Sequence, residues 1–194
     1  PAVDIVVMPF DEIQDAVRRG DVAAGLLIHE GQLTYQDEGL RKIVDLGEWV
    51  LREAATHLRR WLDGGLAPIV VAANVSAVQF ESDDLIDAVS HAIEHSKVDP
   101  QLLELELTES VLMRDTARVN RLLSHLKSTG VRLSIDDFGT GYSSLSYLNR
   151  FNVNALKIDQ TFTQQAATGS TGASVARAIV GLGHELGLEV VAEG

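Results

Sequence analysis

Cysteine is absent from the 194 residues, so disulfides and thiolate zinc sites are excluded and a reducing compartment is permitted. Basic residues are scarce as well. Lys and Arg number 16 against 28 Asp and Glu, a formal net charge of −12. That balance argues against a nucleic-acid polymer or an anionic membrane surface as partner. A small anionic ligand stays compatible if metal ions offset the local field. No apolar run approaches the roughly 20 residues needed to span a bilayer. The start, Pro1-Ala2-Val3-Asp4, has no initiating Met and no basic stretch leading into an apolar core. The expectation is a soluble, cytoplasmic, trimmed or processed chain, long enough for one domain with a substantial core.

What is present centres on Ser134-Ile135-Asp136-Asp137-Phe138-Gly139-Thr140-Gly141, two adjacent carboxylates at the end of an apolar run and before a glycine-rich turn. Ionised neighbours repel, and a cation between them relieves the repulsion. Alone, such a pair reads better as a solvated acidic turn. Other strand-like runs end in chemistry-bearing residues too: 68–73 before Asn74, 103–107 before Thr108-Glu109, 154–156 before Lys157, and 188–192 before Glu193. Helical periodicity fills the intervals. A repeating strand–helix unit predicts an α/β fold with parallel strands, here a partial or modified TIM-type (β/α) barrel. Parallel barrel strands open their C-terminal ends on one face. Asn74, Glu109, Asp136, Asp137, Lys157 and Glu193 are therefore expected around one cavity. Their oxygen donors suit Mg²⁺, Mn²⁺ or Ca²⁺ better than zinc. Lys157 could hold a water or neutralise phosphate, or simply form a buried salt bridge with one of these acids. Glu193 could bind metal or accept a proton.

Local signals place short strands at 4–8 and 24–29, and a helix from Asp11 to about Arg19 that ends at Gly20. A helix from Leu46 should bury Trp49, Val50, Ala54, His57, Leu58, Trp61 and Leu62 on one face. Further helices open at Ser82-Asp83-Asp84, at Asp115 and at Ser174. The stretch 166–172 reads as a loop.

Residues from about 46 to 194 resemble the EAL phosphodiesterase domain. The matching motifs are Asn74-Val75-Ser76, Glu106-Leu107-Thr108-Glu109-Ser110, the DDFGTGYSSLSYL run from Asp136, Lys157-Ile158-Asp159, and Val190-Val191-Ala192-Glu193-Gly194. The resemblance implies a modified (β/α)8 barrel that linearises cyclic di-GMP with two metal ions, Mg²⁺ or Mn²⁺. It implies Asn74, Glu109 and Asp136 on one ion, with Asp136 bridging and Asp137 on the second. Lys157 would assist the water and Glu193 would join the catalytic set. It also implies a homodimer through the DDFGTG loop, to which exposed strand edges would add.

Two departures bear on activity. No Glu-Ala-Leu triplet, the source of the family's name and of one metal-ligand Glu, occurs anywhere in the sequence. The run also stops at Gly194, where the resemblance implies a second Glu and a closing strand to follow. Residues from about 4 to 49 instead resemble an internal stretch of dihydroxynaphthoate synthase of the futalosine route to menaquinone, in the run from Val6 to Trp49. By that resemblance His29 matches a pocket histidine; a strand-end histidine with a structural hydrogen bond is the alternative. The chain is thus expected to be a chimera, with an α/β fragment over 1–45 joined to a truncated EAL domain over 46–194. The foreign strands would replace the barrel's first ones, and Glu30 is the candidate substitute for the missing Glu. Activity is expected to be impaired, and a catalytically silent nucleotide-binding or scaffold module is the alternative.

Overall fold

The computed structural model describes residues 4–27, 36–42, 45–82, 84–112, 116–139, 148, 151–167 and 171–193. The chain separates into two compact units, Pro1–Asp45 and Leu46–Gly194.

In the first unit a short 3₁₀ turn, Phe10–Glu12, runs into helix α1, Ile13–Arg19. Gly20 ends the helix at φ +80°, and its N–H donates back to the carbonyls of Ala16 and Val17. Arg18 pairs with Asp15 and, at 2.5 Å, with Glu38. Neither strand expected in this unit forms among the described residues. Residues 4–9 and 24–27 have no regular structure, and Val7 is 92 % exposed. The β-branched run Ile5-Val6-Val7 supplies propensity, but a strand also needs a sheet to join, and neither run joins one among the described residues. His29, Glu30 and the rest of the second expected strand lie outside the described residues.

The second unit is built on a parallel five-stranded sheet in the order β1-β2-β3-β4-β5. The strands are β1 Val71–Val75, β2 Leu103–Thr108, β3 Arg132–Phe138, β4 Ala155–Ile158 and β5 Glu189–Ala192. Helices α2 (Leu46–Asp63), α3 (Ala77–Glu81), α4 (Asp84–Ser96), α5 (Glu109–Leu112), α6 (Thr116–Ser128), α7 (Gln160–Ala167) and α8 (Thr171–Glu185) precede or connect them. No helix among the described residues is long and apolar enough to cross a membrane.

Strand alternation divides the sheet into two chemically distinct faces. Leu103, Leu105, Leu107, Leu133, Ile135, Leu156 and Ile158 occupy one, are almost fully buried and pack in the core with helix residues such as Leu58, Val89 and Leu123. Each such side chain contributes roughly 1.5–3 kcal/mol by leaving water. The other face carries Glu104, Glu106 and Thr108 of β2, Arg132, Ser134 and Asp136 of β3, Ala155 and Lys157 of β4, and Glu189 and Val191 of β5.

Helix α2 buries part of the expected face: Leu58 is buried and Ala54 and Leu62 pack against the core, but the inward side is rotated toward Leu51 and Ala55. Leu51, Ala55 and Leu58 are buried, whereas Trp49, Val50 and Trp61 are each about two-fifths exposed. The Leu51 stripe recurs at the four- and three-residue steps of one helical face, and the core selects it over the stripe with the larger aromatics.

Candidate functional site

The polar face ends in a cluster of carboxylates, and a defect in β3 creates it. In a regular strand Asp136 and Asp137 would point to opposite faces. Here Ile135 pairs with Leu156 and Phe138 with Ile158, so three steps of β3 run against two of β4. Asp137 absorbs the extra residue at φ +54°, a left-handed conformation that Asp tolerates better than most side chains. Its N–H donates to Asp136 Oδ1 at 3.0 Å. Phe138 returns to the apolar face at 4 % exposure.

The two aspartates and Glu193, just past β5, each present a carboxylate oxygen within 4.8 Å of the others. The backbone of Glu193 is held on both sides: its N–H donates to Ile158 O at 3.2 Å, and its carbonyl accepts from the Thr163 hydroxyl of α7. Lys157 projects into the same group. Its ammonium lies 2.5 Å from Glu193, 2.7 Å from Glu106 and 3.8 Å from Asp136. Burial pulls the ammonium down, but hydrogen bonds to Glu106 and Glu193 and the charges of Glu106 and Asp136 outweigh it and raise its pKa. Lys157 is therefore a fixed cation across neutral pH.

Asp137 is pushed the opposite way from a comfortable carboxylate. Burial raises its pKa, and the charges of Asp136, Asp159 and Glu193 raise it further. It hydrogen-bonds Asp159, whose own pKa is held low by the hydroxyl and N–H of Thr161. One cation faces several carboxylates here. All donors are oxygens, which fits a hard divalent ion such as Mg²⁺ or Mn²⁺.

The other expected ligands sit differently. Glu109 opens α5 and is 5 % exposed, and its Oε2 accepts the N–H of Gly139 at 3.0 Å. It thereby holds the turn leaving β3, outside the Asp136–Asp137–Glu193 group. Gly139 has φ +100°, and a Cβ there would meet Phe162 at 2.9 Å and Ile179 at 3.1 Å. Asn74 lies on β1, exposed, at the register position of Glu106. The sequence reading passed over Glu106 itself, which is 6 % exposed and bonded to Lys157. Its signal was the alternation Glu104, Glu106, Thr108 along one strand face, which puts Glu106 one step before Thr108, the register partner of Asp136. The later part of the DDFGTG loop falls outside the described residues.

A family model described as the EAL domain matches residues 15–194. The bifunctional diguanylate cyclase/cyclic di-GMP phosphodiesterase MucR of Pseudomonas aeruginosa is 47% identical over 168 residues, 87% of this chain and 24% of MucR. The structure described as the PaMucR phosphodiesterase in complex with c-di-GMP aligns at a TM-score of 0.75 and 47% identity, covering 86% of this chain and 68% of that one. A manganese and cyclic di-GMP complex of BlrP1 from Klebsiella pneumoniae aligns at a TM-score of 0.62 and 25% identity, over 76% of this chain and 38% of that one. The chain thus spans about a quarter of the length of the curated MucR protein.

Proposed function

Because the chain belongs to the EAL domain family, we propose that its second unit binds cyclic di-GMP at the carboxylate end of the sheet and hydrolyses it to the linear dinucleotide. The observation that carries this reading is the β3 bulge, which gathers Asp136 and Asp137 with Glu193 on one side of the sheet. Asp136, Asp137 and Glu193 would hold Mg²⁺ or Mn²⁺, with Glu106 and Asn74, level with each other across β1 and β2, extending the donor set. Ions bound there would lower the pKa of a water and neutralise charge on the phosphodiester oxygens.

The chain's own groups do the rest. Lys157, kept protonated, donates hydrogen bonds to the attacking water or to a phosphate oxygen; it does not take the proton. Glu193 takes it. Glu109 holds the Gly139 turn and through it the direction in which Asp137 faces.

The absence of a Glu-Ala-Leu triplet supports an impaired enzyme and favours one competing reading, a module that binds the nucleotide without turning it over. A foreign origin for the first unit is supported by the resemblance of the run from Val6 to Trp49 to dihydroxynaphthoate synthase; against it, the EAL family model reaches back to residue 15, so 15–45 matches the same family as the rest of the chain. A homodimer through the DDFGTG loop and a cytoplasmic location belong to the same reading.

The test is turnover of cyclic di-GMP with Mn²⁺ or Mg²⁺, beside Asp136→Asn. Metal-dependent linear product that disappears in Asp136→Asn supports the enzyme. A folded protein that binds the nucleotide and forms no product supports the silent module instead.

A further inference from the structure

Strand β5 carries Glu193 to the site, yet among the described residues it is an edge strand, paired with β4 alone. Any slide of β5 along its axis would move the Glu193 carboxylate away from Asp136 and Asp137. The ladder to β4, the Thr163 hydroxyl and Lys157 hold the Glu193 end of β5, and at the other end a further side chain resists that slide. Arg132 of β3 donates through Nε to Glu104 on β2 at 3.0 Å, and through Nη2 to Glu189 on β5 at 2.6 Å. It reaches Glu189 over β4, where the register position level with Glu189 is Ala155, buried and offering only a methyl group.

We propose that Arg132 is a positioning residue: by gripping Glu189 across β4 it locks β5 along its axis and holds Glu193 within the Asp136–Asp137 group. The guanidinium suits this task because its planar fork bonds two carboxylates in different directions, whereas an ammonium is a point charge. The metal readout below rests on the proposed divalent-ion site; the exchange readout does not.

Deleting Arg132 outright would strand Glu104, whose side chain is 10% exposed, as a buried unpaired charge and would confound the test. Arg132→Lys keeps the charge and a partner for Glu104. Glu189→Ala removes a side chain that is 60% exposed, at little cost to folding. Mn²⁺ binding to the full chain is measured in both variants and in the double variant. Each single change is expected to weaken binding about three- to five-fold, the worth of an exposed ion pair, and the double variant should be no weaker than either single.

A purely electrostatic role predicts otherwise. Arg132→Lys would then change nothing, and Glu189 lies about 13 Å along the strand from Glu193, beyond a Debye length of about 8 Å at physiological salt. Unchanged binding in Arg132→Lys, or additive losses in the double variant, would overturn the proposal. If the wild-type chain takes up no Mn²⁺, the metal-site reading fails and amide exchange decides. The Glu193 N–H, bonded to Ile158 O at 3.2 Å, should exchange faster in both single variants. Equal exchange in all three proteins would overturn the clasp.

Discussion

Asp137→Asn should make the metal-free protein more stable and the metal-bound protein less responsive. Asn tolerates the left-handed backbone at φ +54° as well as Asp does, so the substitution changes charge with little change in strain. The wild-type carboxylate has a partner oxygen on each of Asp136 and Glu193 within 4.8 Å. At that separation two like charges repel by about 1 kcal/mol at a water-like dielectric and about 3.5 kcal/mol at an effective dielectric near 20. With the Asp137 side chain half-buried, a net cost of about 1–2 kcal/mol is the reasonable middle.

The pH dependence carries the sign. The folded pKa of Asp137 lies above its ordinary 3.8. The folded state therefore holds the proton longer than the unfolded state does. Below about 3.8 both states are protonated, and the group costs nothing. As pH rises through the folded value, stability is lost in the wild type and kept in Asp137→Asn. At pH 7 with a chelator, the variant should melt roughly 3–6 °C higher, a scale set by the size of the unit. Near pH 3 the two should coincide. Mn²⁺ should reverse the order, because a ligand at about 100 times its Kd adds roughly 2.7 kcal/mol to whichever protein still binds it. Differential scanning calorimetry from pH 3 to 8, with and without Mn²⁺, reads all three. Equal melting at pH 7 without metal would refute the argument that Asp137 is held against its electrostatic preference.

Lys157→Met removes the cation shared by Glu106, Asp136 and Glu193. It should destabilise the metal-free protein by about 3–5 kcal/mol in urea unfolding, with partial recovery on Mn²⁺ addition. Since the folded pKa of Lys157 is raised above 10.5, its contribution is complete below that value and is lost only as pH climbs through the folded one. The difference between wild type and variant should therefore be flat from pH 7 to 9. Gly139→Ala places a Cβ against Phe162 and Ile179 at a positive φ and should cost about 2–3 kcal/mol. It should also loosen the Gly139 N–H that Glu109 accepts, seen as faster exchange of that amide.

Sequence alone settled the repeating strand–helix order of the second unit. The alternation of apolar residues and the chemistry at each run's end are local properties, and a parallel sheet follows from helical crossovers between them. The ordered motifs identified the family, and Lys157, Asp136, Asp137 and Glu193 were legible as a set because parallel strands share one C-terminal end. The runs at 4–8 and 24–29 show where local propensity misleads: the described part of each is irregular and joins no sheet among the described residues. Periodicity locates helix α2 and its Leu58 side, but cannot choose between adjacent apolar stripes, so Leu51 and Ala55 go inward in place of Trp49, Val50 and Trp61.

Only the tertiary structure decided how two successive aspartates share a face. That took a one-residue bulge against β4 and a left-handed Asp137, neither of which is written in the identities of residues 136 and 137. Likewise Glu106 and Glu109, three positions apart in one motif, part company: Glu106 meets Lys157, while Glu109 meets the backbone of Gly139. The physical reason is that β2 ends between them. Alternation governs Glu106 on the strand, and the first turn of α5 redirects Glu109, so the partners of each are fixed by elements that are distant in the chain and adjacent only once folded.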